Sequence, residues 1–259
     1  MLDKSVDKSS SVPLYYQLKN LILDQIDTGR LGRDDQLPSE REIGDLYGIS
    51  RHTVRQAINE LVLQGILYRA PGKGTYVAPR KVVQDLLHVT SFTQMILDWG
   101  KSTSVRAISS DVVPAPPFVS RLLNLPANAK AFQFERLRIV DREPVALHRS
   151  YVPEDIAQPL LAVSLDSQSL LGLLADECGV RIVHSQETME PTIADRYEAE
   201  LLNVKQGAPL QLITGRLLSD VGHPVECHKS LYRGDKFQFA FEGVLDQVRA
   251  SKPTRERPA

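Results

Sequence analysis

Leu37-Pro38-Ser39-Glu40-Arg41-Glu42, followed by Gly48-Ile49-Ser50-Arg51-His52-Thr53-Val54-Arg55, is the stretch whose reading decides the fold of the amino-terminal part. Ser39 is a favourable N-cap, and Glu42 three residues on completes an S-x-x-E capping box. Ile43, Leu46 and Tyr47 supply apolar contacts at i, i+3 and i+4, and Gly48 sits where a left-handed residue ends a helix. Ser50 caps a second helix. There Val54, Ala57, Ile58, Leu61 and Val62 form one apolar stripe. Arg51, Arg55 and Asn59 form another face, flanked by His52 and Gln56, and Gly65 ends the helix. Two helices joined by a tight turn, the second showing arginines away from its apolar stripe, can place a helix in the DNA major groove. The plain alternative is an amphipathic pair with a solvated charged side.

Working outward, Val12-Pro13-Leu14-Tyr15-Tyr16-Gln17-Leu18 opens a helix to about Thr28, with Leu14, Leu18, Leu21, Ile22 and Ile26 as its core stripe. Downstream, Ile66–Arg69 and Thr75–Val77 read as two short strands around Ala70-Pro71-Gly72-Lys73-Gly74, a turn with a lysine at its tip. From Leu46 to Lys81 the basic residues Arg51, Arg55, Arg69, Lys73, Arg80 and Lys81 stand against Glu60 alone. Such a local cation surplus is what phosphate contacts need.

Residues 12–79 resemble the winged helix-turn-helix of the GntR family of bacterial transcription regulators. The pieces that carry the resemblance are Pro13-Leu14-Tyr15 with Gln17, Leu37-Pro38-Ser39-Glu40-Arg41, Ser50-Arg51 with Thr53-Val54-Arg55, Ala57, Leu61, Gly65 and Gly72-Lys73-Gly74-Thr75-Tyr76-Val77. The resemblance implies that Arg41, Arg51 and Arg55 contact bases or phosphates and that Gly72 and Gly74 approach the minor groove. The residue types agree: arginine's planar fork matches guanine O6 and N7, and Ser39 and Thr53 are short donors suited to phosphate beside a helix N-terminus. The expected DNA-binding set is Ser39, Arg41, Ser50, Arg51, His52, Thr53, Arg55, Gly72, Lys73 and Gly74.

The chain has 259 residues, 42% of them hydrophobic, and a formal net charge of −1. That length suggests two domains, and the near-neutral charge excludes a polybasic nucleic-acid coat, so DNA affinity must come from a local patch. Met1-Leu2-Asp3-Lys4 leads into polar residues rather than a signal peptide, and no apolar run reaches membrane-spanning length, so a cytoplasmic location without membrane contact is expected. Cys178 and Cys227, the two cysteines, are too few for a disulfide scaffold. The expected organisation is a disordered tail at 1–11, the winged helix-turn-helix at 12–78, a linker at 79–88, a second domain at 89–249 and a disordered tail at 250–259. No internal repeat is evident.

The second domain mixes strands near 104–113, 130–140, 144–152, 180–190, 209–219 and 224–232 with helices near 92–99, 117–123, 170–178 and 194–202. Successive strands with irregularly inserted helices predict an antiparallel sheet in an α+β fold. This half resembles the UTRA effector-binding domain of the HutC subgroup, which is similar in fold to chorismate lyase. Ser91-Phe92-Thr93, Phe134-Glu135-Arg136-Leu137-Arg138, Arg142–Leu147, Ser150-Tyr151-Val152-Pro153, Ser169-Leu170, Ala199–Leu202 and Gly222–Glu226 through Tyr232–Asp235 carry it. In that subgroup an acidic residue usually stands at the place of His148 and often a tyrosine at that of Leu171. The expected effector-binding residues are Ser91, Phe92, Thr93, Arg136, Arg138, His148, Ser169 and Glu226.

Arg136 and Arg138, at i and i+2 on a strand, point to one face behind Phe132 and Phe134. There they can clamp a phosphate or carboxylate. Alternatively they pair with Glu135, Asp141 or Glu143 on a solvated strand. Ser169 can donate to a ligand or cap the helix after it. His223, Cys227 and His228 do not make a metal site, because Cys227 and His228 leave a strand on opposite faces. No cofactor is expected. No nucleophile motif, glycine-rich dinucleotide loop or P-loop supports an enzyme, and fold similarity to a lyase is a weak warrant. The sequence therefore predicts a homodimeric, ligand-responsive transcription factor. It would be a repressor, or alternatively an activator, with palindromic operator DNA and a phosphorylated sugar or carboxylate as partners.

Overall fold

Capping and apolar spacing produce the expected amino-terminal head. The computed structural model describes residues 6–79, 81–85, 91–165 and 169–240. Helices α1 (Leu14–Asp27), α2 (Glu40–Tyr47) and α3 (Arg51–Leu63) are followed by strands β1 (Leu67–Ala70) and β2 (Gly74–Val77). Both halves of the Ser39–Glu42 capping box are formed, Gly48 takes φ +59°, and the Ser50 hydroxyl accepts from the Thr53 N–H. Leu18, Ile22, Ile43, Val54, Ile58 and Leu61 are completely buried together, so the three helices share one core. The hairpin is antiparallel, Leu67 opposite Val77, and an isolated bridge between Gln36 and Tyr76 ties it to the approach to α2.

Two expectations about the ends of this head change. Residues 6–11, expected as part of a tail, lie against α1. The Gln17 side-chain amide accepts from Asp7 N (2.8 Å) and donates to the Asp7 carbonyl (2.9 Å), and Val6 packs on the core. An amide that both donates and accepts pins a backbone that has few apolar anchors of its own. The connector expected at 79–88 includes a strand, β3 (Val82–Asp85), paired in parallel with β10 (Phe237–Ala240). So short a pair leaves no alternation for a sequence reading to detect. Residues 86–88 of that connector and the tail at 250–259 lie outside the described residues.

The second domain is a six-stranded antiparallel sheet in the order β4-β5-β6-β9-β8-β7. Its strands are β4 (Thr103–Pro114), β5 (Lys130–Val140), β6 (Glu143–Pro153), β7 (Ile182–Ile193), β8 (Pro209–Ser219) and β9 (Pro224–Arg233). One face carries α5 (Pro117–Leu123) and α8 (Arg196–Leu202), which bury Ala131, Tyr151 and Cys227 on one side and Leu137, Leu147 and Leu210 on the other. The other face carries α4 (Phe92–Asp98), α6 (Glu154–Ala157) with the 3-10 turn Gln158–Ala162 that continues it, and α7 (Leu170–Asp176).

The topology exposes a repeat that the linear sequence hid. Strand–helix–strand–strand occurs twice, as β4-α5-β5-β6 and as β7-α8-β8-β9, and β6 meets β9 at the centre. With the halves superposed by element, Leu122-Leu123-Asn124 parallels Leu201-Leu202-Asn203, and Pro144-Val145 with His148-Arg149-Ser150 parallels Pro224-Val225 with His228-Lys229-Ser230. Asn124 (φ +54°) and Asn203 (φ +52°) end α5 and α8 in the same left-handed conformation, which asparagine tolerates better than most residues. At the centre His148 pairs with Ser230 and Ser150 with His228, so the two His-x-Ser segments cross-match.

Asp195 closes a second complete capping box with Glu198 at the start of α8. Asp195→Ala should cost about 1 kcal/mol. The expected readout is a lower urea midpoint for the second domain with unchanged slope; an unchanged midpoint would contradict the cap.

Candidate nucleic-acid interface and ligand pocket

In the head, α3 buries Val54, Ala57, Ile58 and Leu61 and exposes Arg51, His52, Arg55, Gln56 and Asn59. Ser39 and Ser50 accept from backbone N–H groups at the helix starts, and the Thr53 hydroxyl lies 2.8 Å from that of Ser50. Arg41 is exposed, with Asp45 one turn away at 3.7 Å. In the wing, Gly72 (φ +71°) and Gly74 (φ +133°) allow a turn that L side chains resist. A Cβ at Gly74 would also strike the Gln36 side chain, whose amide donates to the Lys73 carbonyl at 2.8 Å. An open groove of about 650 Å³ separates the start of α2 from this tip and is lined by Ser39, Arg41, Arg51, Lys73 and Gly74 among others. Five of the ten expected DNA-binding residues thus line one concave surface, and Ser50, His52, Thr53, Arg55 and Gly72 do not. Sequence reasoning assigned no role to Gln36 or Glu40 and counted Arg69 only within the cation surplus. A glutamate in a helix's first turn reads as an ordinary dipole partner, although Glu40 here lies under arginines from two other elements.

In the second domain, a cavity of about 120 Å³ lies on the sheet face beneath α4 and α7. Period-two alternation places Arg136 and Arg138 of β5, His148 and Ser150 of β6, and Glu226, His228, Ser230 and Tyr232 of β9 on its floor. Ser91 and Ser169 reach its rim from the starts of α4 and α7, and each also caps its helix. Cap and rim donor are therefore compatible roles. Glu187 enters from β7 over Gly215, where a Cβ would collide with the Glu187 side chain and the Gln186 carbonyl. Thr93 corrects an expectation: it does not line the cavity but accepts from Arg138 Nη2 at 3.1 Å, holding that guanidinium from behind.

Among the described residues Arg138 does not pair with Glu135, Asp141 or Glu143. Glu135 binds Arg149 (Nη2, 2.6 Å), Asp141 binds Lys101 (2.8 Å) and Glu143 binds Lys236 (2.5 Å). Arg138 is 2% exposed, sits 4.5 Å from the centre of the Phe92 ring, and has no hydrogen-bond partner at Nε or Nη1 among the described residues. Arg136 is 3% exposed and sits 5.1 Å from the Phe134 ring. Burial pulls the Arg138 pKa down to about 10, against a nearby Tyr232; burial and the charge of Arg138 pull Arg136 to about 9. Both stay cationic at neutral pH.

Burial, together with the charges of Arg138 and Arg136, holds His148 well below the usual imidazole range, and its Nε2 has no hydrogen-bond partner among the described residues. For His228 burial also opposes the charged form. Glu226, at 3.0 Å from Nδ1, and Glu187 outweigh it and raise the pKa. The floor therefore runs from two cations, past a neutral imidazole, to a carboxylate–imidazole–carboxylate cluster. Among the described residues no group of histidine, cysteine and acidic side chains could hold a metal ion.

Comparison with known proteins adds the context. Residues 14–77 match the family described as bacterial regulatory proteins, gntR family, and residues 98–238 match the UTRA domain. The chain is 33% identical over 235 residues to the HTH-type transcriptional repressor NagR of Bacillus subtilis, covering 91% of this chain and 96% of that protein. The chain belongs to the GntR family. It is a DNA-binding transcriptional repressor of the GntR/UTRA type. The mannosyl-D-glycerate transport/metabolism system repressor MngR of Escherichia coli is 29% identical, covering 88% of this chain and 94% of that one. The crystal structure of PhnF from Mycobacterium smegmatis matches with a TM-score of 0.63 and 25% identity, covering 90% of this chain and 99% of that one. The matched relatives are transcriptional regulators, not enzymes. Among the described residues no helix is long and apolar enough to cross a membrane.

This GntR/UTRA repressor makes the buried cation testable without any ligand. A buried charge lacking a counter-ion opposes folding, and an apolar side chain of similar volume relieves it. Arg138→Met should leave the ligand-free protein as stable as the wild type, or more stable by about 1–4 kcal/mol, in chemical denaturation. A clear loss of stability would show Arg138 to be a structural strut instead.

Proposed function

We propose that this repressor binds a palindromic operator as a homodimer and is controlled by a small, hydroxylated anion in the UTRA domain, a phosphorylated sugar or a carboxylate. Each head lays residues 51–59 of α3 in a major groove and its wing tip, Gly72-Lys73-Gly74, beside the adjoining minor groove; Arg41, Arg51 and Arg55 read bases or phosphates. Two-fold protein symmetry matches two half-sites. The protein works in the cytoplasm, where its operator lies.

The observation that carries the effector reading is Arg138: buried, cationic, beside a second buried arginine, and with Nε and Nη1 unsatisfied. An anion supplies the missing acceptors and the missing counter-charge at once. Ser91 and Ser169 add donors at the rim, and Glu226 and His228 can bind hydroxyls on the far side. MngR is named for a mannosyl-D-glycerate system, and a mannosyl glycerate carries both sugar hydroxyls and a carboxylate, which agrees with that chemistry.

Coupling runs along β9. Its pocket residues, Glu226 to Tyr232, lead directly into Arg233 and Asp235, which form a two-point ion pair (3.0 and 2.6 Å). Asp235 lies against Gly65 at the end of α3, closely enough that a Cβ on Gly65 would collide with its backbone, and Lys81 donates to the Gly234 carbonyl at 2.6 Å. Closing the pocket therefore acts on the segment that supports the recognition helix. The ligand shifts the heads by as much as its affinity differs between their two arrangements.

Arg51→Ala or Arg55→Ala should each weaken operator binding by about 1–3 kcal/mol and relax sequence preference. Lys73→Ala should weaken all duplexes evenly and reduce the salt slope by about 1. Mobility-shift titrations at several salt concentrations read both; unchanged binding removes α3 and the wing from their roles. A melting screen of sugar phosphates, aldonates and neutral sugars should show anions alone raising the transition. The shift should vanish in Arg138→Met, and a neutral sugar as effective as its phosphate would defeat the anion reading.

A further inference from the structure

Glu40 is the meeting point of three arginines that belong to different elements. Its carboxylate lies 3.0 Å from Arg55 Nη2 and 3.1 Å from Arg55 Nε, 3.1 Å from Arg69 Nη2 and 3.5 Å from Arg51 Nε. Arg51 and Arg55 stand one turn apart on α3, Arg69 comes from wing strand β1, and Glu40 is the first residue of α2. The carboxylate is recessed, with its side chain 17% exposed, while the side chains of Arg51, Arg55 and Arg69 are 68%, 52% and 43% exposed. Burial works against the charge on Glu40, but the hydrogen bond and charge of Arg55, with Arg69 and Arg51, outweigh it and lower its pKa.

From this geometry we infer that Glu40 is a specificity-determining positioning residue, holding the recognition arginines in the orientation in which they read bases. The inference rests on the proposed role of α3. A guanidinium carries five N–H donors in a rigid fork. Glu40 engages the Nε–Nη2 side of Arg55, which leaves the Nη1–Nη2 end of the fork for another acceptor. That end can meet guanine O6 and N7 together. Free arginine side chains are among the most costly to order, and ordering them before contact reduces what binding must supply.

The charge balance points the same way. One carboxylate against three guanidiniums leaves a surplus of positive charge, so phosphate attraction survives. The recessed anion also disfavours indiscriminate collapse of the arginines onto phosphates, which penalises the wrong duplex more than the right one. A carboxylate at this place therefore lowers general DNA affinity and raises discrimination.

The test uses the full chain. The wild type first selects a preferred site from a randomised duplex pool, and that site and a scrambled duplex of equal length are then titrated with wild type, Glu40→Gln and Glu40→Ala. The inference predicts that Glu40→Ala lowers the preferred-to-scrambled affinity ratio by on the order of tenfold. It also predicts unchanged or tighter binding to the scrambled duplex, with Glu40→Gln in between. A ratio within about twofold of wild type overturns it, on the same scale. Should Glu40→Ala also lower the melting transition of the head, a double-mutant cycle with Arg55→Ala decides. Strong coupling on the preferred site and none on the scrambled duplex supports positioning, and additivity on both overturns it. A wild type that selects no site removes the reading of α3 and this inference with it, whereas a selective wild type and an equally selective Glu40→Ala remove this inference alone.

Discussion

Arg138 is a buried guanidinium without a counter-ion among the described residues, and the cavity of the second domain is built around it. A central strand of a sheet covered on both faces has to bury whatever it carries, and burial of a lone cation opposes folding. Thr93 and the Phe92 ring compensate part of the cost from one side. The remaining N–H groups face a small cavity whose other walls are polar. Of the nearby carboxylates on and after β5, Glu135 is engaged by Arg149 and Tyr197, and Asp141 by Lys101. In the proposed reading, such a domain trades stability for a site that an anion completes.

The same sheet connects the cavity to the head. β6 and β9 are the inner strands of two matching halves, and both contribute a His-x-Ser segment to the floor. The halves then diverge in charge. The first adds Arg136 and Arg138; the second has Gly215, which leaves room for Glu187, and Glu226 beside His228. A near-symmetric scaffold has become a polar gradient. Because β9 leads past the cavity to the Arg233–Asp235 pair and the contact with Gly65, a short stretch of chain joins the pocket to the end of α3.

The head was legible in the sequence almost residue by residue, because its signals are local. Ser39 with Glu42, Gly48, Ser50 and the apolar spacing of α3 each act within a few positions and need no distant partner. The strands of the second domain were legible from alternation, which also placed Arg136 and Arg138 on one face. What stayed hidden is what only tertiary structure supplies. Glu40 gains its meaning from Arg69, far along the chain. Thr93 turned from a ligand donor into a support because α4 presents it behind Arg138. The repeat escaped notice because turns and bulges shift its register, although Leu-Leu-Asn and Pro-Val-x-x-His were there to be aligned. The strand pair β3–β10, residues 6–11, and the contribution of Glu187, His228 and Tyr232 to the pocket likewise depend on non-local contacts.

The central claim is that the anion site and the DNA-reading heads are thermodynamically linked, and reciprocity tests it most directly. Calorimetric titration of the most effective anionic sugar derivative into the free protein and into its operator complex gives two ligand affinities. Operator titration with and without that ligand gives two DNA affinities. The account predicts that both pairs differ, and by the same factor. A ligand that binds free and operator-bound protein with equal affinity would contradict it.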